Sequence, residues 1–265
     1  MDSATVLTGL NLSYALCTLA LTTLGLAIVF GLLGVMNMAH GEFVMLGAYA
    51  VVVVQKLGLP LVAAVPLSIV LCGTLGWVVE RWLIRPLYAR PFDTLLATWG
   101  LSILLRNLVE AIFGKGYQNV QSTAAAPMAF MGTSYPAYRL FLMALTVLLM
   151  LALVLWYRRS NAGLKIRAMT GNPTLARALG IDTGRLATRA FVLGVVLAGL
   201  AGVLLAPIVR VEPAMGVDYL LNAFFVLVVG GLGSLAGLTS GVGLIGGTQA
   251  GVSSLIDQTS GYAAV

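Results

Sequence analysis

The sequence predicts an all-α, polytopic membrane protein, and three observations carry that prediction. Of 265 residues, 60% are apolar and only 9% are charged, against roughly a quarter charged in an ordinary soluble domain. Mean hydropathy is +1.00. No Lys, Arg, Asp or Glu interrupts the chain between Ser3 and Gly41. At about 20 residues per crossing, the length accommodates roughly eight transmembrane helices, some discontinuous. Residues 1–265 therefore read as one transmembrane domain with no separate soluble catalytic unit.

The first helix is expected over Leu7–Gly34. The opening MDSATVLTGL lacks the basic n-region and small-residue cleavage site of a signal peptide, so this helix reads as retained. The next charge-free run, Phe43–Gln55, covers only about 20 Å as a helix and is too short to cross the hydrocarbon layer unaided. Asn37–Glu42 is therefore expected at membrane depth, between two helical pieces. A third helix is expected over Pro60–Trp82, ending where Pro86 and Pro91 stop regular helix. A fourth follows over Thr94–Phe113, then an irregular loop over 114–138. The fifth covers Leu140–Tyr157, and a polar stretch runs from Arg158 to Arg189. The last three are expected over Ala190–Ile208, Tyr219–Val229 and Leu238–Leu255.

Net charge is +6, and its distribution reports topology rather than a nucleic-acid partner. Loop 81–90 holds three arginines. Loop 158–189 holds Arg158, Arg159, Lys165, Arg167, Arg177, Arg185 and Arg189 against the single acid Asp182. The positive-inside rule puts both on the cytoplasmic side, and the two intervening helices satisfy that parity. Loop 114–138 is then periplasmic and the N-terminus outside, unless a re-entrant Asn37–Glu42 segment reverses the count.

Within the second basic loop, Asn172-Pro173-Thr174-Leu175-Ala176-Arg177-Ala178-Leu179-Gly180-Ile181 carries the grammar of a very short helix. Asn172 suits the N-cap, Pro173 the first helical position and Gly180 the position after the C-cap. Leu175 and Leu179, four apart, share a face. A helix this short does not hold in water alone. It either packs on its own protein or lipid, or serves as a coupling helix in a groove on a cytoplasmic partner.

Polar residues at membrane depth are the other candidates. His40 is the lone histidine and Glu42 lies two residues on; they line or gate a pathway, or form purely structural hydrogen bonds. Thr94, Thr98 and Ser102 make an i, i+4 stripe, with Trp99 beside it. This stripe suits either interhelical hydrogen bonds or a path for a small neutral polar solute. Arg106 and Glu110 are one turn apart, and a local pair is preferred over a substrate contact. The Gly230–Gly237 break parallels the earlier one around Gly31–Gly34 and Gly41, as in an inverted-repeat transporter; close packing through small residues accounts for it equally well. Cys17 and Cys72 form neither a disulfide framework nor a metal spacing. No Walker A motif, zinc motif, nucleophile elbow or dinucleotide fingerprint occurs, so any ATP hydrolysis belongs to another chain.

Gly34-Val35-Met36-Asn37-Met38-Ala39-His40-Gly41-Glu42 resembles the N-x-A-H-G-E signature of bacterial branched-chain amino acid ABC permeases. Gly163–Ala168 with Asn172 and Ala178–Ile181 resembles that family's cytoplasmic coupling region, and Gly199–Leu204 is also similar. Leu95–Ser102 is more similar to the urea and short-chain amide branch. The resemblance implies a subunit of an inner-membrane importer, with a second related or identical permease, two ATP-binding subunits that use ATP and Mg²⁺, and a periplasmic solute-binding protein. It implies that Asn172, Pro173, Leu175, Arg177, Leu179, Gly180 and Ile181 dock the ATPase. Asn37, His40 and Glu42 would lie near the path. The end departs from the pattern: a further helix and a basic tail are usual, whereas this chain stops at Gly261–Val265, which points to truncation. Urea or a short amide is the first expectation for the solute and a branched-chain amino acid the second. A passive amide channel or a proton-coupled transporter relying on His40/Glu42 are the rivals from other classes.

Overall fold

A computed structural model describes residues 3–88, 90–121, 127–130, 133–231 and 235–255. These build an all-α bundle of α1 (Ser3–Leu33), α2 (His40–Lys56), α3 (Ala64–Val79), α4 (Pro91–Phe113), α5 (Ala137–Arg159), α6 (Asn161–Gly171), α7 (Pro173–Ala178), α8 (Thr183–Leu205), α9 (Met215–Gly230) and α10 (Leu235–Leu255). Five stretches among the described residues are long and apolar enough to cross a bilayer: Thr5–Leu33, Leu61–Leu87, Pro91–Phe113, Ala137–Arg159 and Thr183–Leu205. By contrast, α2 and α9 have 17 and 16 residues, about 25 Å each, short of the hydrocarbon layer of about 30 Å. The sequence expects about eight membrane helices, some discontinuous, with the second too short to cross unaided; the described residues show five full-length spans beside these two shorter helices.

The elements follow local chemistry, with some shifts. Leu61–Ala63 is a 3₁₀ turn ahead of α3. Beyond Val79 the chain does not stop, but widens and then tightens: Glu80–Ile84 is π-helical and Arg85–Leu87 is 3₁₀. Pro91 starts α4 rather than only ending what precedes it, because a first helical position needs no N–H. The expected sixth helix begins at Thr183, not Ala190: the Asp182 carboxylate accepts from the Arg185 N–H at 2.9 Å and caps two polar turns that look like loop. Gly31–Leu33 is still helix, and the break begins at Gly34 with φ +63°.

The loop over 114–138 is not wholly irregular. An antiparallel hairpin, β1 (Pro127–Phe130) with β2 (Thr133–Pro136), closes part of it. Buried Tyr135 pins the hairpin to α1 through its hydroxyl on Asn11 Oδ1 at 3.2 Å. The sequence expectations for 122–126, for 232–234 within the glycine-rich break and for the 256–265 tail lie outside the described residues.

The bundle's centre is α8, which packs on α1, α2 and α3. Small residues let these helices touch. A Cβ on Gly25 would fall on the Gly194 carbonyl oxygen, and one on Gly47 on that of Gly199. Gly47→Ala is therefore expected to lower stability by about 1–3 kcal/mol through overpacking, read as a fall in the thermal midpoint of the detergent-purified protein. The outer faces of α3, α4 and α5 carry exposed Trp77, Phe92, Ile103 and Leu148, as contact with lipid tails requires.

Candidate functional site: the mid-bundle break and the basic end

After α1 ends, residues 34–39 turn back along it. His40, at the start of α2, bonds the Thr22 carbonyl oxygen through Nε2 at 2.9 Å. Thr22 lies about 16 Å up α1 from Leu33 at 1.5 Å per residue. The break therefore sits at mid-bundle depth. Asn37 Oδ1 accepts from the Ala39 N–H at 3.1 Å and the Met38 N–H donates to Thr98 Oγ1 at 3.1 Å, so this irregular backbone is tied to its own side chain and to α4.

The first turn of α9 arrives at the same point. A Cβ on Gly41 would meet the Gly216 carbonyl oxygen, and Glu42 Oε2 lies against Gly216. Two helix amino termini, with their partial positive charge, thus converge on the Glu42 carboxylate. Ser102 of α4 donates to Glu42 Oε1 at 2.8 Å, and Arg106 pairs with the same oxygen at 3.2 Å. The expected Arg106–Glu110 pair gives way to this one. A carboxylate buried to 1% exposure needs a cation, which the i, i+4 rule does not reveal.

His40 and Glu42 point to different neighbours, since two residues along a helix is about 200° of rotation. His40 packs between α1 and α8, fully buried. Thr94, Thr98 and Ser102 are buried as a stripe, while Trp99 is turned away and 57% exposed. Their hydroxyls are used within the protein: Thr94 and Thr98 donate to backbone carbonyls at 2.9 Å and Ser102 to Glu42.

At the basic end, α7 is closed at both termini. Asn172 Oδ1 accepts from the Leu175 N–H at 3.0 Å. The Ile181 N–H returns to the Ala176 carbonyl and that of Gly180 to Arg177, both at 3.0 Å, with Gly180 at φ +78°; this is the Schellman closure. Ala176 is buried, whereas Leu175 and Leu179 are 56% and 72% exposed. Ile181 does not share their face, but packs against Ile166, Met169 and Leu186 of α6 and α8. A cleft of about 610 Å³ separates α7 from the end of α1, lined by Phe30, Tyr88, Pro173, Arg177 and Thr183 among others.

A second, narrower slot lies between the break and α9, walled by Met36, Asn37 and Met38 and by Leu220, Phe224 and Leu227. Sequence reading found Asn37 and missed the rest. Apolar residues in an apolar chain carry no mark, and only the fold brings them together.

Residues 8–264 match the family described as branched-chain amino acid transport system / permease component. The high-affinity branched-chain amino acid transport system permease protein LivH of Escherichia coli (strain K12) is 33% identical, over 89% of this chain and 82% of that one. LivH of Salmonella typhimurium is 32% identical over the same shares. The permease protein BraD of Pseudomonas aeruginosa is 30% identical over 88% and 81%. No solved structure matches the chain. A multi-pass bundle matched over nearly all its length, with relatives of this identity, is a transport component and not itself an enzyme: the chain belongs to the branched-chain amino acid ABC transporter permease family.

Proposed function

We propose that this chain is the membrane-spanning subunit of an ATP-driven importer for branched-chain amino acids. It works with a second permease subunit, two cytoplasmic ATP-binding subunits that use ATP and Mg²⁺, and a periplasmic solute-binding protein. The names of the relatives favour this solute over urea or a short amide. The Thr94–Thr98–Ser102 hydroxyls favour it too, since they brace helices rather than face an open amide path.

The observation that carries the reading is α7. It is a two-ended, self-capped rod that turns two leucines outward at the end of the molecule where the basic residues gather. Such a face fits a groove on a partner. Asn172, Pro173 and Gly180 set the rod's ends, Leu175, Leu179 and Arg177 meet the partner, and Ile181 fixes the rod to α6 and α8. Closure of the ATP-binding subunits would push α7 and, through α8, displace the helices packed on it.

In this reading loops 81–90 and 158–189 are cytoplasmic, 114–138 is periplasmic, and the membrane is the bacterial inner membrane. Asn37 lines the path, His40, Glu42, Thr94, Thr98 and Ser102 hold its wall, and Trp99 faces lipid. An inverted repeat is supported by the packing: α1 leads into the shorter α2 and α8 into the shorter α9. In addition, α3 packs on α8 while α10 packs on α1.

The co-isolated complex in proteoliposomes, with its binding protein, is expected to accumulate leucine only with ATP inside, and to leave urea and acetamide behind. Uptake of urea instead would return the solute assignment to the amide branch. Uptake without ATP would make this a passive channel. Uptake following an imposed proton gradient in ATPase-free vesicles would make it a secondary transporter.

A further inference from the structure

One carboxylate stands on the outside of the bundle at a depth where lipid does not tolerate it. Asp218 lies in the first turn of α9, two residues and about 3 Å of rise beyond Gly216, whose carbonyl oxygen stands against Gly41 at the mid-bundle break. The residue is exposed, and its carboxylate has no ion pair among the described residues. A charge at this depth is costly against hydrocarbon and is met by water or by protein. Other outward faces suit lipid: α3 has no charged residue, and α5 has none over 140–157.

Asp218 opens a stripe. Leu221, Asn222, Phe225 and Val229 follow it at three, four, seven and eleven residues, on one side of the helix. Leu221, Phe225 and Val229 are 48%, 39% and 49% exposed, and Asn222 is half-buried. The stripe is polar at the break and apolar beyond it. Neighbouring α10 packs along α9, and there Gly243 and Gly247 have nothing within 4 Å of where a Cβ would stand. On the inner side of α10, the same positions of Gly241 and Gly246 are filled by Val226 and Leu16. The fold itself therefore uses the inner pair. The outer pair, four residues apart, leaves room for a close approach from outside.

We propose that the α9 stripe, with the outer glycines of α10, is the surface on which the second permease subunit packs, and that this subunit presents a hydrogen-bond donor or cation to the Asp218 carboxylate. The proposal rests on the importer reading above, which supplies the second permease, and names the face it occupies. The stripe prescribes the partner's chemistry: a polar donor at mid-depth, apolar side chains alongside Leu221, Phe225 and Val229, and a helix able to lie close over Gly243 and Gly247. Lipid tails satisfy the apolar part and leave the carboxylate unmet. A second helical bundle satisfies all three.

The test is photo-crosslinking in membrane vesicles holding the intact complex, with p-benzoylphenylalanine in place of Phe225. Irradiation is expected to join this chain to the second permease subunit. The yield should be at least tenfold that of the same group in place of Leu148, on the outer face of α5. The mass of the adduct tells an identical subunit from a related one. If the group at Phe225 perturbs assembly, the same group at Leu221 carries the readout. Asp218→Leu is expected to lower the adduct yield at least fivefold, because it leaves the partner's donor buried and unpaired; a lipid-facing position would predict no loss. An adduct with lipid, with an ATP-binding subunit or with the binding protein in place of the permease overturns the assignment, as does a yield no higher than at Leu148. An undiminished adduct in Asp218→Leu overturns the carboxylate's part in it. The readout does not use uptake. A complex that imports leucine with ATP while Phe225 meets only lipid loses this face and keeps the importer reading; a complex that contains a single permease subunit loses both.

Discussion

Changing Leu175 and Leu179 together to Asp is expected to abolish ATP-driven uptake and to strip the ATP-binding subunits from the purified permease. The two side chains are 56% and 72% exposed and make little of the fold, so the variant should keep its thermal midpoint. Buried apolar anchors at interfaces are worth about 2 kcal/mol or more each. At about 1.4 kcal/mol per factor of ten, losing both weakens docking by roughly three orders of magnitude, and the introduced charges add to that. Size-exclusion chromatography of the complex and leucine uptake read the two effects separately. Full co-isolation with full uptake would remove α7 from the coupling role. Asn172→Ala should act more mildly, costing about 1 kcal/mol of helix cap and loosening a rod whose outer face is intact.

The second large effect is expected at Glu42. Arg106→Ala leaves its carboxylate buried with one Ser102 hydrogen bond, and removing one partner of a buried pair costs about 3–5 kcal/mol. The pair also joins α4 to α2, and α4 has few other buried side chains. The variant should therefore yield little folded protein from detergent extraction. Glu42→Gln combined with Arg106→Met removes both charges and should recover much of the loss. An Arg106→Ala protein as stable as the parent would mean that α4 is held by its apolar contacts alone.

These two sites differ in how far the sequence reveals them. The α7 cap residues lie within ten positions of one another, and each acts on its neighbours' backbone, so local rules reach them. Asp182 was equally local, yet the polar turns Thr183–Arg189 obscured it by looking like loop. The Glu42–Arg106 pair spans 64 residues of chain, and the nearer Glu110 is the obvious but wrong partner. The meeting of Gly41 with Gly216 is further still, because a glycine shows nothing of what approaches it. Trp99 sits one residue from Thr98 and about 100° around α4 from it, which takes it off the buried stripe; spacing gives the angle, but only packing shows which side is buried. Charge-free runs locate the long helices to within a few residues except α8, which begins seven residues before the expected Ala190; the shorter α9 begins four residues before the expected Tyr219, where Met215–Asp218 meets the break.

The body of α2 stands between its histidine and its glutamate. One faces Thr22 on α1, the other Ser102 and Arg106 on α4, and no shared acceptor joins them among the described residues. Two ionisable groups at mid-depth are thus kept from forming a wire. The bundle can sit in an energised membrane while offering protons no short circuit through this pair, and the electrochemical gradient stays available to the cell's other machines.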